Sequence, residues 1–198
     1  MKAGRSYVSE GRAHLMDFSA QAGEARTAVG GADLALLAPR PVTLQVDVAA
    51  RLEATPTAAT EALRKLGPLD KPYWHIERAR VGDTRMVIVE LLVNGLPVEA
   101  RAMPADGDIR ALRFSFTPEF SCWVALRINA AAHTNPLFVT VAGAPVRSRR
   151  SAAWCRAAVD ACWKQKLPRI RPAERAEEAA LYERARRFYE QRLAEARA

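Results

Sequence analysis

The sequence is short of the features that mark several large protein classes. It has three cysteines in 198 residues, too few and of the wrong parity for the disulfide framework of a small secreted domain. No stretch approaches the about 18 consecutive apolar residues that span a bilayer, so no membrane span is predicted. The first residues, MKAGRS, have no apolar stretch behind their basic residues and do not match a signal peptide.

Short motifs with known chemistry are also missing. The metal motifs HExxH and CxxC, the GxSxG nucleophile elbow, the P-loop and the dinucleotide-binding fingerprint do not occur. His14, His75 and His133 are isolated, and no pair has a spacing that places two ligands on one helix face or strand. The sequence therefore predicts no metal site and no catalytic residue. A site assembled in space from the three histidines stays open as the minor alternative.

The cysteines are better explained as small apolar core residues. Cys155 and Cys162 lie seven positions apart on one predicted helix, which separates their Cα atoms by roughly 10 Å, too far for a disulfide. Cys122 lies beside Trp123 within a predicted strand. A nucleophilic cysteine is therefore not expected.

The composition is that of an ordinary globular protein, with 49% hydrophobic and 26% charged residues. The net charge of +8 is concentrated at the C-terminus, because the segment from Arg147 onwards has 14 basic and 7 acidic residues. A basic segment of this kind can contact nucleic acid. The glutamates between its arginines, and the lack of a clean basic stripe with aromatic platforms, favour a solvated helical face instead.

Residues 1–146 show the pattern of a β structure. Apolar and polar residues alternate over Val42–Val48, which is typical of a half-buried strand, and Asn94-Gly95 is a strong hairpin signal. Residues 53–72 are predicted to be a connection with one helical turn at Ala58–Leu66. The predicted strands are Arg12–Phe18, Val42–Val48, Tyr73–Val81, Arg85–Val93, Leu96–Met103, Ile109–Thr117, Ser121–Ile128 and Leu137–Val141. Many short strands between turn signals indicate a mainly β fold, an antiparallel β-sandwich rather than a parallel sheet.

The same pattern predicts which side chains are buried. We expect the core to contain Val42, Leu44, Val46, Val48, Val87, Val89, Leu91, Trp123, Ala125, Phe138 and Trp154.

The hydrophobic period changes to that of helices in residues 147–198. Ser148 or Ser151 can cap a helix that runs to about Lys166. Pro168 ends that helix, and Pro172 suits the first turn of a second one. Each helix has one apolar stripe, so we expect a C-terminal helical hairpin that follows the sandwich.

The densest polar stretch between apolar strands is His133-Thr134-Asn135-Pro136, which follows Leu126-Arg127-Ile128. Pro136 favours an extended conformation at Asn135, so the polar side chains can point together into a cleft. We take His133, Thr134, Asn135 and Arg127 as cleft-facing candidates. The alternative, which is commoner, is a loop whose side chains satisfy its own backbone.

Several stretches together resemble the CehA/McbA (carbaryl hydrolase) family. They are residues 2–11 (KAGRSYVSEG), 71–85 (KPYWHIERARVGDTR), 123–136 (WVALRINAAAHTNP) and 151–155 (SAAWC), and the pair Cys162-Trp163. The resemblance covers nearly the whole chain, but only the C-terminal region of the family. Residues 1–4 are accordingly expected to be the last turn of a helix closed by Gly4.

The resemblance implies that the catalytic chemistry lies on another domain. Members of this family are metal-dependent hydrolases with a PHP-type catalytic domain, and their metal ligands lie upstream of the position that corresponds to Lys2. We therefore expect no cofactor in this chain and a divalent metal of the zinc or manganese type in the full-length enzyme. Because the ligand set is absent from this sequence, we expect the chain to be inactive alone.

The leading hypothesis is a non-catalytic C-terminal portion of a metal-dependent hydrolase, for carbamates or esters, which packs on the catalytic domain and shapes its cleft. Residues 1–146 would be an accessory β-sandwich domain and residues 147–198 the helical hairpin. The alternative is a free-standing β-sandwich that binds its own ligand or protein partner. The upstream PHP-type domain is the expected partner, and a homo-oligomer stays open.

Overall fold

The computed structural model describes residues 4–196. It divides into two compact units, Met1–Ala144 and Pro145–Ala198. The chain is β-rich, with 37% strand and 30% helix. The sequence predicted a mainly β protein, whereas the two long C-terminal helices make it more evenly mixed. Most of the helix end predicted at residues 1–4 lies outside the described residues, although Gly4 itself has a left-handed φ of 67°.

Eleven strands and one short helix belong to the described part of the first unit. The strands are β1 (Tyr7–Ser9), β2 (Ala13–Ala22), β3 (Ala25–Ala28), β4 (Leu34–Leu36), β5 (Val42–Ala50), β6 (Met86–Val93), β7 (Leu96–Pro104), β8 (Arg110–Phe116), β9 (Cys122–Ile128), β10 (Ala132–Thr134) and β11 (Leu137–Val141). Helix α1 (Ala58–Lys65) begins with a capping box between Thr57 and Thr60.

Within residues 4–196 the strands form two sheets. In the larger sheet, β10 and β11 pair with the two ends of one edge of β9, β1 pairs with β10, and β4 pairs with β11. Strand β6 pairs with the other edge of β9, and β7 lies beyond β6. The smaller sheet has the order β3-β2-β5-β8. The pairs are antiparallel except that β11 and β4 are parallel, so the larger sheet is mixed. The strands over residues 25–28, 34–36 and 132–134 are too short for their alternation to be visible in the sequence.

Apolar residues of both sheets form one hydrophobic core. The four alternating residues from Val42 to Val48 are fully buried, as predicted, and so are Val87, Val89 and Leu91. Ala125 is buried as well. Burial of large aliphatic side chains from both sheets is the main source of stability for this unit.

Three aromatic residues predicted for the core lie elsewhere. Phe138 is 41% exposed and Trp154 is 72% exposed, so both predictions are wrong, and Trp123 is only half-buried. On β11, Leu137 and Val139, the two neighbours of Phe138, occupy the core face. Period two separates the two faces of a strand but does not say which face is inside when both are apolar.

The predicted strand Tyr73–Val81 is also wrong, since the structure has a 3₁₀ helix at Ile76–Ala79. His75 caps this helix, because its Nδ1 accepts from the backbone N–H of Glu77 at 3.2 Å. A side chain that bonds the local backbone competes with strand pairing, and this local bond is invisible to a count of apolar alternation.

The second unit is a pair of helices, α2 (Arg149–Lys166) and α3 (Arg175–Glu195). Ser148 caps α2 by accepting from the N–H of Ser151 at 3.2 Å, which decides between the two predicted caps. A 3₁₀ turn at Pro172–Glu174 precedes α3. The helices are antiparallel, since Arg156 bonds Glu190 and Asp160 bonds Arg186. In the described range, no helix has the length and apolarity needed to cross a bilayer.

Candidate functional site: an aromatic groove on the larger sheet

A surface groove of about 970 Å³ lies on the face of the larger sheet that points away from the core. We call this face the outer face and the cavity the aromatic groove. Its floor comes from β6, β9, β10 and β11, and its walls come from the segment around Trp74 and from Asn135-Pro136. The side chains that define it are Tyr73, Trp74, Arg78, Leu92, Trp123, Ala125, Arg127, His133, Asn135 and Phe138.

The apolar part of the floor is built by cross-strand pairing. Trp123 on β9 lies directly opposite Phe138 on β11, and Leu92 on β6 lies opposite Ala125. Side chains that face each other across paired strands are close enough to pack together. Leu92 and Ala125 are buried, whereas Trp123 is half-buried and Phe138 is exposed, so water reaches this apolar surface mainly at the two aromatic rings.

The polar part of the floor is a row that crosses three strands. Glu90 on β6 pairs in register with Arg127 on β9, and Arg127 pairs with His133 on β10. The Arg127 Nε donates to Glu90 Oε2 at 2.6 Å. Their side chains are 35% and 22% exposed, respectively, so this ion pair remains accessible from the groove.

One wall of the groove contains Tyr73 and Trp74, both about half exposed. The Trp74 and His133 rings lie 6.1 Å apart between centroids, with a tilt of 43°. Arg78 holds this segment in place, because its guanidinium donates to the carbonyls of Leu66 and Gly67 and, at 3.0 Å, to that of Pro72. Carbonyls collected around one cation fix the path of an otherwise irregular segment.

A buried ion pair supports the same segment from below. Glu77 and Arg80 form two hydrogen bonds, of 2.6 and 2.8 Å, with both side chains almost fully buried. Arg80 also donates to the carbonyls of Glu53 and Thr84. The hydrogen bond to Glu77 raises the pKa of Arg80 above its ordinary value, against the opposing effect of burial. A buried pair with its remaining donors satisfied is a rigid structural element.

The structure brings all four cleft-facing candidates to this groove. Three of them also bond locally, and for His133 this is a contact of 3.2 Å between its Nδ1 and the carbonyl oxygen of Thr134. Thr134 is buried, and its Oγ1 accepts from the N–H of Leu126 at 3.0 Å. Asn135 Nδ2 donates to the Gly4 carbonyl at 2.9 Å and to Ser6 Oγ at 3.0 Å. These two side chains therefore have the structural roles of the commoner alternative, which leaves Arg127 and His133 as the polar groups of the floor.

Sequence reasoning missed the aromatic half of the groove. The sequence predicts Trp123 and Phe138 for the core, and Tyr73 and Trp74 for a strand. A usable signal was present on β9, where Trp123, Ala125 and Arg127 alternate with Val124 and other aliphatic residues. A face that carries an arginine is more often the solvent-accessible one. Trp123 is four positions from Arg127 on the same strand and therefore belongs to that face too.

The histidines are used separately. His14 Nδ1 is 2.8 Å from the Tyr7 hydroxyl, His75 caps the 3₁₀ helix, and His133 lies in the groove. In the described residues, no three His, Cys, Asp or Glu side chains are grouped so that they could hold a metal ion.

No protein-family model, curated protein or solved structure matches this chain. The assignment of a function therefore depends on the groove itself. Its exposed aromatic side chains and central arginine have the composition of the core of a protein interface, while the floor has one ion pair and one histidine as its polar groups. This arrangement suits binding of a largely apolar surface.

Proposed function

We propose that this chain is the non-catalytic C-terminal portion of a metal-dependent hydrolase. In this proposal, a β-sandwich with a helical hairpin packs against a PHP-type catalytic domain through the aromatic groove and forms one side of its cleft. The hydrolytic reaction, on a carbamate or ester, and the zinc- or manganese-type metal belong to the catalytic domain. The shared core of the two sheets supports the sandwich architecture.

The observation that carries the proposal is the clustering of water-accessible aromatic side chains in one groove. Tyr73, Trp74 and Phe138 are each more than 40% exposed, and Trp123, which lies opposite Phe138, also lines the groove. Apolar surface that is left in water costs free energy, and a contiguous exposed patch marks an interaction site. The ordered wall held by Arg78 and the Glu77–Arg80 pair supports a preformed docking surface.

The resemblance to the carbaryl hydrolase family connects this surface with a catalytic domain. The wall lies within residues 71–85, and most of the floor lies within residues 123–136, two of the stretches on which the resemblance depends. A supporting, non-catalytic role for these two stretches agrees with their position in the groove and with the resemblance, which assigns the metal ligands to another domain.

The test is binding between this chain and a separately expressed PHP-type catalytic domain of that family. We expect a complex by isothermal titration calorimetry, and we expect Phe138→Ala to weaken it by about 30-fold, as truncation of a central aromatic contact does. Phe120→Ala is the matched control, because Phe120 is 49% exposed but does not line the groove. Thermal unfolding of each variant checks that the fold is intact.

The result also separates the proposal from its alternative. If the catalytic domain does not bind and the chain is monomeric and stable alone, the free-standing binding module is favoured. Equal weakening by Phe138→Ala and Phe120→Ala would contradict docking through the groove.

A further inference from the structure

Arg127 is the polar centre of the aromatic groove, and its guanidinium is only partly used. Its Nε bonds Glu90 at 2.6 Å, while Nη1 and Nη2 have no hydrogen-bond acceptor among residues 4–196. A guanidinium has five donor hydrogens in a fixed planar arrangement. It can therefore bind one carboxylate through Nε and a second one, end-on, through the two Nη groups.

The other arginine of the groove differs in this respect. Arg78 directs its Nη groups at carbonyl oxygens of its own loop, so its donors are consumed by the fold. Among residues 4–196, these two arginines and no carboxylate line the groove itself, while Glu90 borders it beside Arg127 on the same face and offsets one positive charge. The two arginines and Glu90 thus leave the groove a net charge of +1 within partly apolar surroundings, where a charge-assisted hydrogen bond is stronger than in water.

The apolar surface begins two positions from Arg127 on the same face of the same strand. Ala125 and Trp123 lie on the same face of β9, two and four positions before Arg127. Their Cα atoms are roughly 7 and 14 Å from that of Arg127 along the strand. A ligand that contacts both Arg127 and this surface therefore carries a carboxylate and an apolar body separated by a distance of this order.

From this geometry we propose that the groove recognises a carboxylate joined to an apolar group, with the carboxylate on the Nη groups of Arg127 and the apolar group on Ala125, Leu92 and Trp123. The inference rests on the proposed docking function and specifies the partner. The docked segment of the catalytic domain presents an aspartate or glutamate with an apolar side chain about 7 Å away, as at positions i and i+2 of an extended segment.

The probe is 4-phenylbutyrate, compared with its neutral isostere 4-phenylbutyramide, on the full chain. Binding is followed by ¹H–¹⁵N NMR of the tryptophan indoles. Trp74 and Trp123 line the groove, and Trp154 and Trp163 on α2 serve as internal controls. We expect the acid to shift the Trp74 and Trp123 signals with an affinity about tenfold higher than that of the amide, since the amide loses the charge-assisted pair.

Variants assign this preference to one side chain. Arg127→Gln should reduce the affinity for the acid to that for the amide, whereas Arg101→Gln should leave it unchanged. Arg101 is a fair control because it is also paired with a glutamate, Glu99, on the edge strand of the same sheet and does not line the groove.

The proposal is overturned if the wild-type chain binds acid and amide equally, if Arg127→Gln keeps the preference for the acid, or if the control tryptophans shift as much as Trp74 and Trp123. The acid–amide comparison needs no variant, so it remains decisive even if Arg127→Gln fails to fold. A complex with the catalytic domain and no acid preference leaves docking intact and refutes the carboxylate anchor. An acid preference without a complex refutes the proposed partner instead.

Discussion

The two faces of the larger sheet come from the same strands but differ in chemistry. On the core face of β9, Val124, Leu126 and Ile128 are fully buried aliphatic residues. On the outer face, Trp123 and Arg127 are half-buried and line the aromatic groove. The core face therefore contributes mainly to stability, while the outer face keeps aromatic and charged groups within reach of a partner at the expense of hydrophobic burial.

Two glutamate–arginine ion pairs also differ in this way, one being buried and the other accessible to water. Glu77 and Arg80 are almost fully buried beneath the wall of the groove, whereas Glu90 and Arg127 are accessible on its floor. The buried pair has two hydrogen bonds between its side chains and further bonds from Arg80 to backbone carbonyls, whereas the accessible pair has one hydrogen bond. The buried pair should be structural, and the accessible pair should be available for binding.

The largest expected effect is therefore on the buried pair. Glu77→Ala should lower the free energy of unfolding by about 4 kcal/mol, because it leaves the Arg80 charge buried without its partner. Glu90→Ala should cost only about 0.5 kcal/mol, as for a solvent-accessible pair. Urea denaturation of both variants measures the difference, and similar losses would contradict the contrast.

A second comparison uses apolar residues on opposite faces. Leu91 on β6 is fully buried, and Leu91→Ala should lower the free energy of unfolding by about 3 kcal/mol through the loss of burial and the cavity left behind. Phe138→Ala on the outer face removes more atoms, yet we expect less than about 1 kcal/mol, because the ring is 41% exposed. Larger destabilisation by Phe138→Ala than by Leu91→Ala would return Phe138 to the core.

The sequence predicted the strands better than it predicted their faces. Regular alternation over Val42–Val48, and the Asn94-Gly95 turn between β6 and β7, are local signals, and the structure confirms both. The orientation of Trp123 and Phe138 depends on register across the sheet, which no local window contains. Likewise, the 3₁₀ helix after His75 depends on side-chain bonds to the nearby backbone rather than on apolar periodicity.

The candidate site shows the same limit. His133 and Arg127 could be selected because polar residues stand out among apolar strands, and the structure brings both to the groove. The wall around Trp74 was missed, since it meets the floor through tertiary contacts, namely the hydrogen bond of 2.8 Å from the His75 N–H to the Ala130 carbonyl and the contact between Trp74 and His133. Tertiary contacts of this kind link segments about 50 residues apart and leave no periodic pattern.

Adjacent residues on β9 provide a third test, which concerns reactivity. Cys122 is buried on the core face beside the half-buried Trp123, and burial raises the pKa of its thiol from 9.0 to about 11. The thiolate population is then roughly 100-fold below that of an ordinary thiol. We expect Cys155 and Cys162, which are partly exposed, to react with a thiol reagent in the native state, and Cys122 to react only on unfolding. Labelling followed by peptide mass spectrometry identifies each site, and fast native labelling of Cys122 would place it on the accessible face.

The smallest effect is expected for an accessible pair outside the groove. Asp106 and Arg110 form a two-bond ion pair at the turn between β7 and β8, and the hydrogen bonds from Arg110 hold the pKa of the Asp106 carboxyl well below its usual range. A carboxyl with a lowered pKa in the folded state stabilises the protein above the unfolded pKa, and this contribution is lost as the pH falls through the folded pKa.

The stability advantage of the wild type over Asp106→Asn should therefore be small and constant from pH 8 to about pH 5, and should shrink below about pH 4, near the unfolded pKa of aspartate. Urea denaturation across this range measures it, and an advantage that grows on acidification would contradict the assignment. Because Asp106 and Arg110 have exposures similar to those of Glu90 and Arg127, a small effect here would support the view that the groove pair contributes little to stability and remains free for binding.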